Sequence, residues 1–324
     1  MAARTKSKVT PKYKTKYKVK NWRAYNVALK QRGDITVWFD EAAIDAWSPP
    51  PSGLPGGQRR YSDLAIVTAL TLRTVFHLPL RQTEGFVASM IRVMGLELDT
   101  PDYSTLSRRS VTVLVPPRVY GLSGPIHLVI DSTGLKMLGD GEWLVHKHKT
   151  SNKRRSWRKL HLGVDASGFI VASDLTESRA DDATVGVALI SRLKSPIGRF
   201  TADGAYDTRA IYEALAPAAG SSGTTIVVPP NRSAARSSPA EDVFKQRDAA
   251  IGRISEVGRR QWRKESGAHQ QARAENAVLR YKRIIGGSLR ARKRSAQVRE
   301  TLLAVRVLNR MAELGMPKSQ AVVA

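Results

Sequence analysis

The pattern of apolar and polar positions predicts helices in the first third of the chain. Apolar residues recur at helical spacing in residues 61–76 and 81–94, and a third helical stretch begins at Ser104, a predicted N-cap. Before them, residues 35–47 alternate like a short strand and then turn helical, and the Pro- and Gly-rich residues 48–57 predict a loop. Three short helices with arginines on the last are typical of a helix-turn-helix unit, or of a helical core that does not contact DNA.

The remaining two thirds alternate strand and helix patterns. The apolar run 127–130 has the composition of a buried strand, and residues 160–172 have the pattern of two strands joined by a turn. The later patterns are, in order, helix 182–193, strand 199–202, helix 208–215, strand 224–228, helix 270–285 and helix 297–314. This order predicts a mixed α/β domain whose strands are antiparallel first and parallel later.

The charge of the chain indicates a polyanionic partner, with nucleic acid as the leading candidate. Lys and Arg number 53 against 28 Asp and Glu, a formal net charge of +25 in 324 residues. Residues 1–34 contain no acid before Asp34 and are predicted to form a basic arm, with a solvated tail of no specific role as the alternative. The chain has no Cys, which excludes disulfides and thiolate chemistry, and no apolar run long enough for a membrane span.

Two acids directly follow apolar strand patterns and define a candidate site. Asp131 ends the first of these patterns, and Asp203 ends a later one. Because ligands of open α/β sheets collect at the ends of neighbouring strands, we expect both carboxylates at one sheet edge, with Glu275 as a third acid from a helix. Converging carboxylates repel one another unless a cation lies between them, and oxygen ligands suit Mg²⁺ or Mn²⁺. The alternative for any single Asp is a turn-forming role, which we assign to Asp165 and Asp207.

The helix that carries Glu275 also carries a candidate phosphate-binding residue, Lys282. It lies two helical turns later, so its ammonium is expected on the face of the carboxylate, although a chance pairing on so basic a helix is the alternative. Other basic residues are expected to hold the DNA backbone by charge and counterion release. The DNA-binding candidates are Arg108, Arg109, Lys147, Lys149, Lys153, Arg154, Arg155, Arg158, Lys159, Arg280 and Arg283.

Several stretches, in this order, resemble bacterial insertion-sequence transposases of the Asp-Asp-Glu (DDE) type, in particular family five of insertion sequences. The stretches near the acids are DSTG from Asp131, ADGAYDT around Asp203 and ENAVLRYKRIIG from Glu275. Residues 154–168 are similar to the first hairpin of the family, and residues 61–86 and 101–109 are similar to its N-terminal part.

The resemblance implies a fold, a reaction and partners. The expected fold is a ribonuclease H-like mixed sheet flanked by helices over residues 121–315, preceded by a helical DNA-binding region at 35–120 and followed by a tail at 316–324. The expected reaction is cleavage and joining of double-stranded DNA at terminal inverted repeats, with two Mg²⁺ or Mn²⁺ ions per site. We further expect a homodimer in the DNA complex and a cytoplasmic, nucleoid-associated location.

Carried over by position, Asp131, Asp203 and Glu275 are the expected metal ligands, and Lys282 is the lysine that follows the glutamate. The family pattern also has a Tyr seven residues and an Arg four residues before the glutamate, where this chain has Ala268 and Gln271. The alternative functions are therefore a catalytically inactive, decayed transposase that only binds DNA, a ribonuclease H-like nuclease that does not join ends, and a basic architectural protein.

Overall fold

The structure is a computed structural model that describes residues 16–51, 53, 55–115, 124–137, 157–216, 223–237 and 242–322. Its first part contains a strand and five helices: β1 (Lys16–Val19), α1 (Trp22–Gln31), α2 (Glu41–Asp45), α3 (Asp63–Val75), α4 (Leu80–Val93) and α5 (Tyr103–Arg109). The predicted helices at 61–76 and 81–94 are confirmed as α3 and α4.

Side-chain caps explain two differences from the predicted elements. The strand-like alternation after residue 34 is not a strand, because the carboxylates of Asp34 and Asp40 accept backbone N–H groups of a 3-10 turn and of α2. The third helix is capped by Asp102 and not by Ser104, since the Asp102 carboxylate accepts the N–H groups of Ser104 and Thr105 at 2.8 and 2.9 Å. A charged acceptor two residues earlier takes the capping position.

The second part is a six-stranded mixed sheet with helices on both faces. Its strands are β2 (Ile126–Met137), β3 (Trp157–Val164), β4 (Ile170–Glu177), β5 (Ile197–Thr201), β6 (Thr225–Val227) and β7 (Ser288–Leu289). Its helices are α6 (Asp182–Arg192), α7 (Arg209–Ala214), α8 (Lys245–Glu265), α9 (Ala272–Arg280) and α10 (Arg294–Leu314).

The strand order is β4-β3-β2-β5-β6, with β7 added at the end of β2. The hairpin strands β2, β3 and β4 pair antiparallel, whereas β5 pairs parallel with both β2 and β6. The predicted change from antiparallel to parallel pairing is therefore confirmed. A mixed sheet of this order with helices on both faces agrees with the expected ribonuclease H-like fold.

Alternate residues of β2 supply the cores on the two faces of the sheet. Leu128 and Ile130 pack with α6 and with Phe200 of β5, while Val129 packs on the other face with α9 and α10. Helix α10 contributes to a third core as well, because its residue Val307 packs against the helices α3 to α5. The N-terminal helices therefore share a core with the last helix of the second part.

The two ends of the described chain meet. Strand β1, from the predicted basic arm, pairs antiparallel with β8 (Ser319–Val322), from the predicted C-terminal tail. Among the described helices, none alone has the length and apolar composition of a membrane span, and α3 and α4 reach it only when joined across a bend of 111°.

Candidate active site

Asp131 lies in the middle of the central strand, where one of its two neighbours ends. β2 pairs in parallel with β5 only as far as Val129, opposite Thr201, whereas β3 pairs with Asp131 itself, opposite Leu162. The expectation that the strand stops at Asp131 is wrong, because pairing with β3 carries it on to Met137. Within the described residues, β5 therefore does not pair with Asp131.

Asp203 follows β5 at the same end of the sheet. It is the second residue after Thr201, and its carboxylate accepts a hydrogen bond from the N–H of Ala205 at 2.9 Å. That bond caps the short 3-10 helix Gly204–Tyr206, so Asp203 has the turn-forming role that a single Asp commonly takes. Because the residue is also exposed, its carboxylate reaches solvent at the sheet edge.

Glu275 comes to this edge because α9 packs across β2. Ala274 is buried against the sheet, and Glu275 next to it is exposed. The helix is tied to the strand by Gln271, whose Nε2 donates to the carbonyl oxygen of Ile130 at 2.9 Å. Since Ile130 directly precedes Asp131, this hydrogen bond fixes the helix of the third acid beside the strand of the first.

The negative charges of the other two acids act on Asp131. The pKa of Asp131 is raised from 3.8 to about 6, first by burial and then by the negative charges of Asp203, Glu275 and Asp182, while a hydrogen bond from the N–H of Ser132 opposes the shift. The charges of Asp203 and Glu275 act on Asp131 from the residue pair that follows β5 and from α9.

Two of the acids line one cleft, yet the three do not form a closed ligand shell. Within the described ranges, no three His, Asp or Glu side chains are gathered as a ready-made metal site. Asp203 and Glu275 are exposed and line one open cleft of about 450 Å³. The edge thus offers carboxylate oxygens, the donors that a hard divalent cation prefers, in an open arrangement.

Comparison with known protein families identifies the chain. A family model described as Transposase DDE domain matches residues 122–310, more than half of the 324 residues. A second model with the same description matches residues 30–140. The chain belongs to the DDE transposase family. The resemblance inferred from the ordered sequence motifs is confirmed at this level.

Lys282 of the transposase lies outside the α-helix that carries Glu275. Helix α9 ends at Arg280, and Tyr281–Ile285 form one π-helical turn. The prediction that Lys282 lies on the face of Glu275 assumed 3.6 residues per turn throughout, and this spacing does not hold across a π turn. The Lys282 side chain is exposed, so its ammonium is accessible to an anion.

Two of the predicted DNA-binding arginines are used inside the transposase. Arg109 donates to the carbonyl oxygen of Tyr61 at 3.0 Å and forms an ion pair with Asp63, which joins α5 to the start of α3. Arg280 donates to the carbonyl oxygen of Gly168 at 2.8 Å, and burial lowers its pKa. These residues connect elements of the fold, and a role in DNA binding stays a prediction for them.

Two basic residues of β3 have internal partners as well. Arg158 forms an ion pair with Glu177 on the neighbouring strand. Lys159 places its Nζ 3.0 Å from Asp182 at the start of α6. The ion pair links β3 to the start of α6. Both residues therefore have partners within the protein, and their contacts with DNA stay predictions.

The other DNA-binding candidates stay predictions. Arg108 is exposed with its guanidinium 3.1 Å from the hydroxyl of Thr105, and Arg283 is exposed in the π turn. The remaining candidates, Lys147, Lys149, Lys153, Arg154 and Arg155, lie outside the described residues.

Sequence reasoning missed three kinds of residue near the acids. Gln271 was noted only as a departure from the family pattern, although it ties α9 to β2. Asp182 was assigned only to a helix pattern, although its charge reaches Asp131. The cleft also contains Arg259 and Arg263. Their spacing of four residues was the available signal, but without the fold nothing placed that helix beside the acids.

Replacing Asp131 by Asn should stabilise the metal-free transposase at alkaline pH. A carboxyl group whose pKa rises on folding destabilises the folded state once it ionises. The free energy of unfolding therefore falls as the pH rises from about 4 to about 6, and it stays at the lower value above pH 6. The full shift corresponds to roughly 3 kcal/mol, and partial exposure of the side chain reduces the expected gain to about 1–2 kcal/mol.

Denaturant unfolding in EDTA at pH 8 and at pH 4 measures this gain. The Asp131→Asn variant should unfold at higher denaturant concentration than wild type at pH 8, and the difference should shrink at pH 4. A variant that is less stable than wild type at pH 8 would show that the ionised carboxylate of Asp131 stabilises the fold and does not destabilise it.

Proposed function

We propose that this transposase binds the terminal inverted repeats of an insertion sequence and cuts and joins DNA at those ends. The observation that carries the proposal is the open cleft lined by Asp203 and Glu275, which lies beside the strand that carries Asp131. Family membership supports a transposase, and the site supports phosphodiester chemistry on a basic chain.

The proposed reaction has two steps. Water attacks the phosphorus of a terminal phosphodiester, the bond from phosphorus to the 3′ oxygen breaks, and that oxygen takes up a proton. The released 3′-OH then attacks a phosphodiester of the target DNA, loses its proton and displaces another 3′ oxygen. Each step exchanges one P–O bond for another, so the reaction needs no redox partner or energy-rich cofactor.

Asp131, Asp203 and Glu275 are the residues proposed to hold two Mg²⁺ or Mn²⁺ ions. Bound divalent cations activate the attacking hydroxyl and neutralise charge on the leaving oxygen. The donor set fits such ions, because it consists of carboxylate oxygens. Lys282, whose ammonium is exposed, is proposed to contact a phosphate of the DNA.

The remaining DNA contacts are proposed from exposed or undescribed basic residues. Arg108 on α5 is proposed to contact the inverted repeat as part of the N-terminal helices, and Arg283 to contact the backbone near the site. The basic tract around Lys147 to Arg155 is proposed to hold further phosphates. A homodimer in the DNA complex would supply one active site for each end of the element.

The test uses the purified transposase and DNA that carries the inverted termini flanking its coding frame. We expect selective binding of the termini in EDTA, and nicking followed by recombinant joints when Mg²⁺ or Mn²⁺ is added. Gel analysis of end-labelled DNA separates the outcomes. Hydrolysis without joints would indicate a nuclease instead, and absence of selective binding would contradict the proposal.

An inactive DNA-binding protein is the second candidate, because Gln271 and Ala268 stand where the family has Arg and Tyr. It predicts that wild-type protein binds the termini in the same assay and never cuts them, in either metal. The hydrogen bond from Gln271 to Ile130 favours an active enzyme, since it supplies a tie between the two acidic elements that a guanidinium could otherwise provide.

A further inference from the structure

The cleft beside the acids contains arginines that belong to none of the family motifs. It is lined by Asp203 and Glu275 and also by Arg232, Arg259 and Arg263. Arg232 lies in the loop after β6, and the other two lie one helical turn apart in the second half of α8. Cations and carboxylates therefore share one cleft of about 450 Å³.

A kink in α8 orients its second half. Gly258 has a φ of +77°, a left-handed conformation that interrupts the helix just before Arg259. Arg253 and Glu265 form a two-pronged ion pair across this kink, with N–O distances of 2.9 and 3.1 Å. Trp262, only 5% exposed, packs with residues from β6 and from the turn before α9. The arginine-bearing segment is thus held in a fixed position.

The arginines differ in how much of their hydrogen-bonding capacity is used. Arg259 donates to the carbonyl oxygen of Pro230 at 2.7 Å and so anchors the loop that carries Arg232. Among the described residues, Arg232 and Arg263 have no protein acceptor and form no ion pair with Asp203 or Glu275. Two exposed guanidinium groups that line the same cleft as two carboxylates, without pairing to them, are available to an external anion.

We propose that Arg263 and Arg232 bind the DNA phosphates on either side of the phosphodiester on which the three acids act. The inference rests on the proposed function, because it takes DNA as the substrate of the acids. A guanidinium binds a phosphate through two parallel N–H donors, which fixes the position of the strand as well as supplying affinity. Arg259 acts as a positioning residue for the loop of Arg232.

The same helix offers matched control positions. Arg260 and Lys264 are exposed and immediately follow the two cleft arginines of α8 in sequence, but they do not line the cleft. Neutral Gln at each of them removes one positive charge, as it does at Arg263. The cleft variants and the control variants therefore lose the same amount of general electrostatic attraction to DNA. Only the cleft variants should also lose a contact that is specific to the cleft.

The experiment measures binding to a duplex that ends at the element terminus, in EDTA so that no cutting occurs. We expect Arg263→Gln and Arg232→Gln to weaken binding about 10-fold and to reduce the slope of log K against log salt by about 1. Arg260→Gln and Lys264→Gln should each weaken binding about 2-fold or less. Thermal melting of every variant checks that the fold is unchanged.

A neutral methylphosphonate at each phosphate that flanks the cut position locates the contact. With wild-type protein, one such substitution should weaken binding about 10-fold, and with Arg263→Gln the same substitution should have no further effect. Equal losses for Arg263→Gln and Lys264→Gln, or a methylphosphonate effect that persists in the Arg263→Gln variant, would overturn this inference. Wild-type protein that binds the terminus but never cuts it in Mg²⁺ or Mn²⁺ would instead overturn the proposed function alone.

Discussion

Separate replacement of Asp131 by Asn, Asp203 by Asn and Glu275 by Gln should lower the rate of DNA cleavage by about 1,000-fold or more, which corresponds to roughly 4 kcal/mol of transition-state stabilisation. Each change removes a negative oxygen and leaves the shape of the side chain nearly intact. Because all three side chains are proposed to hold the same metal ions, loss of any one should impair the same step. Single-turnover cleavage of end-labelled terminal DNA measures the rate.

Binding of the termini should change by less than about 3-fold in these variants, since none of the three acids attracts a polyanion. Glu97→Gln is the control, because Glu97 is an exposed acid in the segment between α4 and α5. Cleavage by any of the three active-site variants at a rate near that of Glu97→Gln would remove that residue from the catalytic set.

Replacing Gln271 by Leu should slow cleavage about 10- to 100-fold with the fold preserved. The substitution removes the Nε2 donor to the carbonyl oxygen of Ile130 and so frees the helix of Glu275 from the strand of Asp131. Displacement of a catalytic group by about 1 Å is enough for a loss of this size. A rate titration with Mn²⁺ should also show a higher metal requirement, which a change in stability alone would not produce.

The variants Gln271→Arg and Gln271→Glu distinguish positioning from packing. An arginine retains N–H donors for the carbonyl oxygen of Ile130, so Gln271→Arg should keep most of the activity. A glutamate offers only acceptors and adds a fourth negative charge beside the acids, so it should be at least as slow as Gln271→Leu. Full activity of Gln271→Leu would mean that the hydrogen bond has no part in placing Glu275.

Hydrophobic periodicity predicted the larger helices because each of them buries the apolar residues of one face. Helices α3, α4 and α6 begin and end within about three residues of the predicted bounds, and each has a row of buried apolar residues. The change from antiparallel to parallel strands also follows from the pattern, since a hairpin followed by alternating helices and strands restricts how the strands can pair.

The sequence placed Asp131 at the correct edge for a partly wrong reason. The strand continues past Asp131, and the edge exists only because the partner β5 ends there, a fact about pairing that a single strand does not contain. Likewise, the π turn at Tyr281 was not predictable from a regular helical pattern, and the position of Lys282 relative to Glu275 stays a prediction.

Charge alone could not separate DNA-binding cations from structural ones. Arg109, Arg158, Lys159 and Arg280 occur in basic stretches like their neighbours, and only the fold reveals that each has an acceptor inside the protein. Arg263, in contrast, was not among the predicted DNA-binding residues, although it lines the cleft. Its segment of α8 is positioned by the kink at Gly258 and by the packing of Trp262. Long-range packing decides both cases.

Anomalous scattering from Mn²⁺ in crystals of the transposase bound to terminal DNA tests the central claim most directly. The account predicts strong peaks at the sheet edge, with carboxylate oxygens of Asp131, Asp203 and Glu275 about 2.2 Å from the ions. Mn²⁺ bound in a complex that still cuts DNA, but ligated by side chains other than these three acids, would contradict it.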